Sequence, residues 1–256
     1  MGEETIRLTI VTVVKNGRAF LQETYQGLRS QSTRQFVWLV IDGKSTDGTL
    51  EWLGEISDLK VEICSEKDKT IYDAMNKAVG KVKTEYILFL NAGDVFFDST
   101  VLHKILGCIH DAPSDIYYGL AMLGAVPGFK RRPQGEHLKS INTLFYGKIP
   151  CHQSMVISKN CFAETGYYLD EMGVYADRDW LLRYVKASGL SKMFYMDYVV
   201  VEYQPTGKSY QQFYKNLPHY LKMIFKNGNG VEVLFGLVGI FKSAVYVSVS
   251  KLFSKL

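Results

Sequence analysis

The sequence predicts an α/β fold, a mostly parallel central sheet flanked by helices, with a helical and apolar tail behind it. Strand-like and helix-like segments alternate without a break over roughly the first 95 residues. The strand segments are continuous apolar runs, as expected for strands covered on both faces. Aspartates recur just after those runs, at the carboxyl ends of the strands, where open α/β sheets bind ligands.

Ile6 to Val14 (IRLTIVTVV) is a β-branched run and the first strand. Phe20, Leu21, Tyr25 and Leu28 then fall at near-helical spacing until Gln31-Ser32-Thr33. Phe36 to Ile41 is a second buried strand, and Gly43 to Gly48 a turn. Leu50, Leu53 and Ile56 mark a second helix, Val61 to Cys64 a third strand, and Ile71, Met75 and Val79 a third helix. Tyr86 to Leu90 is the fourth strand, and it stops on Asn91-Ala92-Gly93-Asp94, which is either a turn or a site. Beyond it, Asp115 to Leu123, Gln153 to Ser158 and Met193 to Tyr203 read as strands and Asp177 to Ala187 as a helix. No linker interrupts the chain before about Tyr203, so residues 1–206 read as one domain and 207–256 as a tail.

With 47% apolar and 13% aromatic residues among 256, the chain supports a full core, which excludes global disorder. The net charge of +4 is uneven: from Gly207 onward seven lysines face a single acid, Glu232. That asymmetry directs the tail to an anionic partner, and the tail is too apolar for a nucleic acid. Asn216 and Pro218 open a helix with Tyr220, Leu221, Ile224 and Phe225 on one face, ended by Asn227-Gly228. Val231 to Phe241 is then almost wholly apolar until Lys242. A spanning helix needs about 20 apolar residues, and a central lysine costs about 2.5–3.5 kcal/mol. The reading is a segment lying in the interface of an anionic membrane; packing on the catalytic domain or a second copy, and spanning, are the alternatives. The four cysteines form no CxxC pair and no metal spacing, and the N-terminus carries no secretory signal, so the expectation is a cytoplasmic protein. Neither GxGxxG nor GxxxxGK[ST] occurs. A nucleotide would therefore rely on side chains and on a hard divalent cation, Mn²⁺ or Mg²⁺, bound by oxygen. Asp94 suits the cation, and Asp42 and Asp47 either grip the base or ribose or are ordinary turn residues.

These segments resemble the bacterial family 2 inverting glycosyltransferases of GT-A fold. "LVIDGKSTDGT" is similar to that family's VDGxSxDGT loop, "SEKDKTIYDAMNKAV" to SExDxGIYDAMNKG, and "YILFLNAGDVF" to YxxFLNxGD. "TIVTVVKNGRAFLQETYQGLRSQ" resembles the opening strand and helix, "CHQSMVISKNCFAETGYYLDE" the acceptor-side stretch, and "YADRDWLLR" the stretch of the catalytic base. The six lie in order over about Thr9 to Gly207 and look most like the colanic-acid, capsule and O-antigen transferases. The resemblance implies transfer of a sugar from a nucleotide-diphosphate-sugar to a saccharide or polyprenyl-diphosphate-saccharide acceptor, on the inner face of the membrane.

The resemblance also assigns residues. Asp42 contacts the nucleobase, Asp47 supports its loop, Asp68 meets base or ribose, and Thr12, Val14, Asn91 and Ala92 line the donor site. Asp94 matches the metal carboxylate, although Asn91 and Gly93 stand where relatives often have a second acid, and Thr70 where they have glycine. Asp177 matches the base; Asp179, roughly 200° round a helix from it, is a structural residue. His152 and Gln153 match the "HQ" near the acceptor, although a lone histidine is often just a satisfied polar residue. Lys208 and Lys130-Arg131-Arg132 are solvated residues or phosphate contacts, and Trp38, Trp52 and Trp180 are core. The single metal carboxylate also admits a non-catalytic nucleotide-sugar-binding or scaffold protein, and either could be a homo-oligomer.

Overall fold

Alternate residues of a strand point to opposite faces, and here both faces are apolar. In the computed structural model, Leu8, Ile10 and Val14 of the first strand (β1, Leu8–Val14) enter one core cluster and Val11 the other. The second strand (β2, Phe36–Asp42) divides likewise, with Phe36, Trp38 and Val40 on one side and Leu39 and Ile41 on the other. This explains why the runs carry no polar alternation: helices cover the sheet on both sides. The structure describes residues 6–124, 133–203 and 213–253; Lys130, Arg131, Arg132 and Lys208 lie outside them.

Helices α1 (Arg18–Arg29), α2 (Thr49–Gly54) and α3 (Ile71–Lys81) connect β1, β2, β3 (Val61–Ser65) and β4 (Tyr86–Phe89), and these four strands are parallel. Short β5 (Val95–Phe96), α4 (Val101–Asp111) and β6 (Ile116–Leu123) follow. Next come β7 (Pro133–Gln134), α5 (Ile141–Phe145), the 3₁₀ turn His152–Ser154, β8 (Met155–Ser158) and α6 (Lys159–Thr165). A 3₁₀ segment Asp170–Tyr175 leads into α7 (Ala176–Ser188), and β9 (Met193–Tyr203) closes the sheet. Among the described residues the strand order is β3-β2-β1-β4-β8-β6-β9-β5, with β7 on β6. β8 runs antiparallel to both β4 and β6, so the sheet is mixed where the chain first turns back.

Helix α7, which carries Asp177, is anchored by its aromatics. Trp180, 1% exposed, stacks on Phe162 at 4.6 Å and on Tyr184 at 5.7 Å. Fully burying such a ring stabilises by about 1.5–3 kcal/mol, and Trp180 Nε1 donates to the Gly166 carbonyl at 2.8 Å.

The tail forms two helices, α8 (Phe213–Asn227) and α9 (Gly230–Phe253). Pro218 sits inside α8 and does not open it. The buried face of α8 is Tyr220, Met223 and Ile224, whereas Phe225 is 60% exposed. Those three side chains join the cluster that holds α7. α9 packs against α5 so closely that a Cβ on Gly239 would lie 2.4 Å from the Tyr146 carbonyl. No helix among the described residues is long and apolar enough to cross a membrane.

Gly119, where the β6–β9 register shifts, tests this packing. A Cβ there would fall 2.7 Å from Val200 and 2.9 Å from the Tyr198 carbonyl. Gly119→Ala is expected to cost about 1–3 kcal/mol in denaturant unfolding. Gly107→Ala in α4, with nothing within 4 Å, should be neutral or stabilising by up to about 1 kcal/mol.

Candidate active site

Because β1 to β4 are parallel, the loops after them open on one edge. The loops after β1 and β2 are stitched together there. Asn16, at φ 51°, accepts from the Thr46 N–H at 2.8 Å, and its own N–H donates to Ser45 Oγ at 2.8 Å. Asp47 accepts from the Arg18 N–H at 3.0 Å and the Thr49 N–H at 3.2 Å, and the Thr49 hydroxyl bond holds its pKa below the ordinary value. Asp42 is fully buried, with its carboxylate accepting from the Ser45 N–H at 3.1 Å and the Ser65 hydroxyl at 2.6 Å. Asp68 reaches the same place from the loop after β3: a Cβ on Gly43 would lie 3.2 Å from its Oδ2, and Lys77 holds it at 2.9 Å. Val14 stands at this edge, in register with Asp42, whereas Thr12 lies two residues back along β1. Thr12 Oγ1 accepts from the Trp38 indole at 3.0 Å in the core, and Val14 is 8% exposed.

A second group forms at the end of β4. The Asn91-Ala92-Gly93-Asp94 turn needs Gly93, at φ 94° with Phe20 3.2 Å from the missing Cβ. Thr24 on α1, fully buried, secures the turn. Its hydroxyl accepts from the Gly93 N–H at 2.9 Å and donates to the Asp94 carbonyl at 3.0 Å. Losing it would leave buried backbone groups unpaired, at about 1–3 kcal/mol. Antiparallel β8 begins where β4 ends. Continuing the register from Leu88 opposite Val156 puts Asn91 opposite Gln153. Gln153 Nε2 accordingly donates to Asp94 Oδ2 at 2.9 Å, and Asp94 is 5% exposed. His152 stands between Asn91 Nδ2, 3.3 Å from its Nε2, and Asp177 Oδ2, 3.3 Å from its Nδ1.

Asp177 heads α7, where the helix N-terminus favours an anion. It accepts from the Arg178 N–H at 2.8 Å and the Tyr72 hydroxyl at 3.2 Å. Burial raises its pKa, but the bond and charge of His152, then the N–H and charge of Arg178, outweigh it and leave the carboxyl below the usual range. Tyr72 is pushed well above its ordinary value by burial and then by the Asp177 charge, so it stays a donor. Helix α3 also grips the segment leading to Asp177: Asn76 exchanges two bonds with the Tyr168 backbone, at 2.9 and 3.0 Å. Asp179, fully buried, pairs with Arg183 and Asn227, each at 2.8 Å. Among the described residues no three His, Cys, Asp or Glu side chains form a metal cage.

The sequence model described as "Glycosyl transferase family 2" matches residues 9–166. The chain belongs to glycosyl transferase family 2. Its relatives include a PGL/p-HBAD biosynthesis glycosyltransferase of Mycobacterium bovis (strain BCG / Pasteur 1173P2), 28% identical over 78% of this chain and 77% of that protein. An uncharacterized glycosyltransferase of Mycobacterium tuberculosis (strain ATCC 25618 / H37Rv) is 27% identical over 69% and 68%. Among solved structures, S. aureus TarS 1-349 in complex with UDP-GlcNAc superposes with a TM-score of 0.69 at 15% identity, over 92% of this chain and 73% of that one. The mannosyltransferase PcManGT from Pyrobaculum calidifontis in complex with GDP-Man and Mn²⁺ gives 0.67 at 14%, over 98% and 76%. The fold of this family 2 chain is of the GT-A type.

Two residues of the site, Thr24 and Tyr72, carry no clear mark in the sequence. Tyr72 lies inside the "IYDAMNK" segment, one residue after an apolar position, and only the helix register brings it to Asp177. Thr24 lies among the inward positions of α1, beside Leu21 and Leu28, and a polar residue on an apolar helix face is the available signal.

The lowered pKa of Asp177 has a measurable sign. Stability from its ionised form is present above the unfolded value of about 3.9 and lost as pH falls through the lower folded value. The melting-temperature gap between wild type and Asp177→Asn should hold from about pH 7 to 5 and close below about pH 4.

Proposed function

We propose that this chain is an inverting glycosyltransferase that moves a sugar from a nucleotide-diphosphate-sugar to a saccharide hydroxyl. The observation that carries the reading is the meeting of Asp94 and Asp177 on either side of one turn, at the edge where the Asp42 and Asp68 loops also open. In this reading the ionised Asp177 takes the proton of the acceptor hydroxyl as its oxygen attacks the anomeric carbon. The new C–O bond forms as the bond to the diphosphate breaks, on opposite faces of the sugar, and the nucleoside diphosphate departs with the electron pair. Tyr72 and the Arg178 N–H hold the carboxylate in place for that attack.

Asp94, with Asn91 beside it, would hold a divalent cation. One carboxylate completed by diphosphate oxygens and water is an ordinary shell for Mg²⁺ or Mn²⁺, and it fits a site with no protein cage among the described residues. When bound, such a cation supplies charge neutralisation on the departing diphosphate. PcManGT, the mannosyltransferase solved with GDP-Man and Mn²⁺, shares this fold and supports the reading.

Donor hydrolysis and transfer with Mn²⁺ test it, screened across UDP-, GDP- and dTDP-sugars. Asp177→Asn should lower turnover about 10²–10⁴-fold and leave nucleotide binding intact, whereas Asp94→Ala should weaken Mn²⁺-dependent donor binding. Binding of a donor with no turnover on any acceptor would instead make this a nucleotide-sugar-binding or scaffold protein.

We further place the enzyme on the inner face of the cell membrane, working on a lipid-linked acceptor in surface polysaccharide synthesis. The outer side of α9 exposes Val231, Leu234, Phe235, Val238, Phe241 and Val245, a continuous helical stripe. The one acid of the basic tail, Glu232, is paired with Lys186 at 2.8 Å, and Lys222 and Lys226 share Glu171, so the pull on anionic lipid rests on the remaining tail lysines. The protein should sediment with anionic vesicles and not with neutral ones, and Leu234→Asp with Phe241→Asp should release it. Equal partition of both proteins, or a dimer lost in the variant, would assign the stripe to another use.

A further inference from the structure

The turn before β8 resembles an acceptor-side stretch in sequence, yet its side chains are spent within the protein. Both ring nitrogens of His152 are engaged, one by Asn91 and one by Asp177, at 3.3 Å each. Gln153 is engaged at both ends of its amide: Nε2 donates to Asp94 Oδ2 at 2.9 Å and Oε1 accepts from the Cys151 thiol. We propose that Cys151-His152-Gln153 is a brace that positions the two working carboxylates, Asp94 through Gln153 and Asp177 through His152. The inference rests on the roles given above to those carboxylates.

Donor and acceptor chemistry sets the orientation of each part. Burial pushes the Cys151 thiol up to about 12, so it stays S–H and donates. A thiol proton meets only the oxygen of the Gln153 amide, which turns the NH₂ to Asp94. The Asn91 amide nitrogen only donates, so His152 Nε2 accepts and the proton of the neutral ring sits on Nδ1, pointing at Asp177. Asp94 and Asp177 thus keep a fixed separation through consecutive residues of one 3₁₀ turn, itself held by Ser154 Oγ on the Gly119 carbonyl at 2.9 Å. The ring is a positioning residue: it acts on the acceptor only through Asp177.

The test has a readout that needs no substrate. ¹⁵N-histidine NMR of the full chain at about pH 8, above the ordinary histidine range, should show His152 as the Nδ1–H tautomer, with assignment by loss of the signal in His152→Ala. An Nε2–H ring overturns the brace. In kinetics, His152→Ala should lower kcat about 10–100-fold with the acceptor KM within about threefold, and His152→Asn, whose amide sits near the Nδ1 position, should recover most of it. A raised acceptor KM at unchanged kcat, or no rescue by asparagine, would return His152 to the acceptor side. Calorimetry should show Gln153→Ala weakening Mn²⁺-dependent nucleotide binding about 10-fold; unchanged binding in that variant overturns the part of the brace given to Asp94. If the wild type turns over no sugar nucleotide, the glycosyltransferase reading fails, while the tautomer and the binding data still decide the brace.

Discussion

The antiparallel entry of β8 beside β4 is the constraint on which the edge depends. A fifth parallel strand would begin at the far end of the sheet and bring no side chain to Asp94. Because β8 runs the other way, the residues just before it arrive beside the end of β4, with Asn91 opposite Gln153. Cys151 to Ser154 then join the turn that carries Asp94 to the helix that carries Asp177. The same reversal makes the sheet mixed, and it lets β6 and β9 extend it as a parallel pair on the far side.

Around that edge, buried charge is tolerated because it is shared. Asp177 loses hydration, which by itself opposes ionisation, and the bond and charge of His152, then the N–H and charge of Arg178, outweigh the loss. Asp42 is deeper still and takes bonds from Ser45 and Ser65. Asp179, two residues from Asp177, is turned into the protein, paired with Arg183 and bonded by the Asn227 amide. Breaking a buried pair of this kind costs about 3–5 kcal/mol, far more than the exposed Glu171 pairs with Lys222 and Lys226 on the surface. Two aspartates in one helical turn therefore serve opposite ends, one structural and one facing the site.

Much of the fold is legible in the sequence because it rests on local pattern. Continuous apolar runs announce β1, β2 and β4, and the lone carboxylate that follows β4 marks a candidate site by its position alone. What is not legible comes from pairings between distant residues. No local signal tells that Gln153 will face Asp94 or that Tyr72 will reach Asp177, since those meetings are 59 and 105 residues apart in the chain. Thr12 belongs to the same class: its partner, Trp38, is on the neighbouring strand and draws the hydroxyl into the core. In the tail, Pro218 suggests a helix start, yet the helix runs through it, and the inward face includes Met223 while Phe225 points out.

Under the proposed function, a single carboxylate base working opposite a departing diphosphate makes one stereochemical demand. If Asp177 activates the incoming oxygen directly, the anomeric centre inverts in one displacement. Proton NMR of the first-formed product, read before mutarotation when water is the acceptor, measures this without knowledge of the natural acceptor. The first-formed product should carry the anomeric configuration opposite to that of the donor sugar. A product that keeps the donor configuration would contradict it, since retention requires a second displacement or a front-face route that Asp177 alone does not provide.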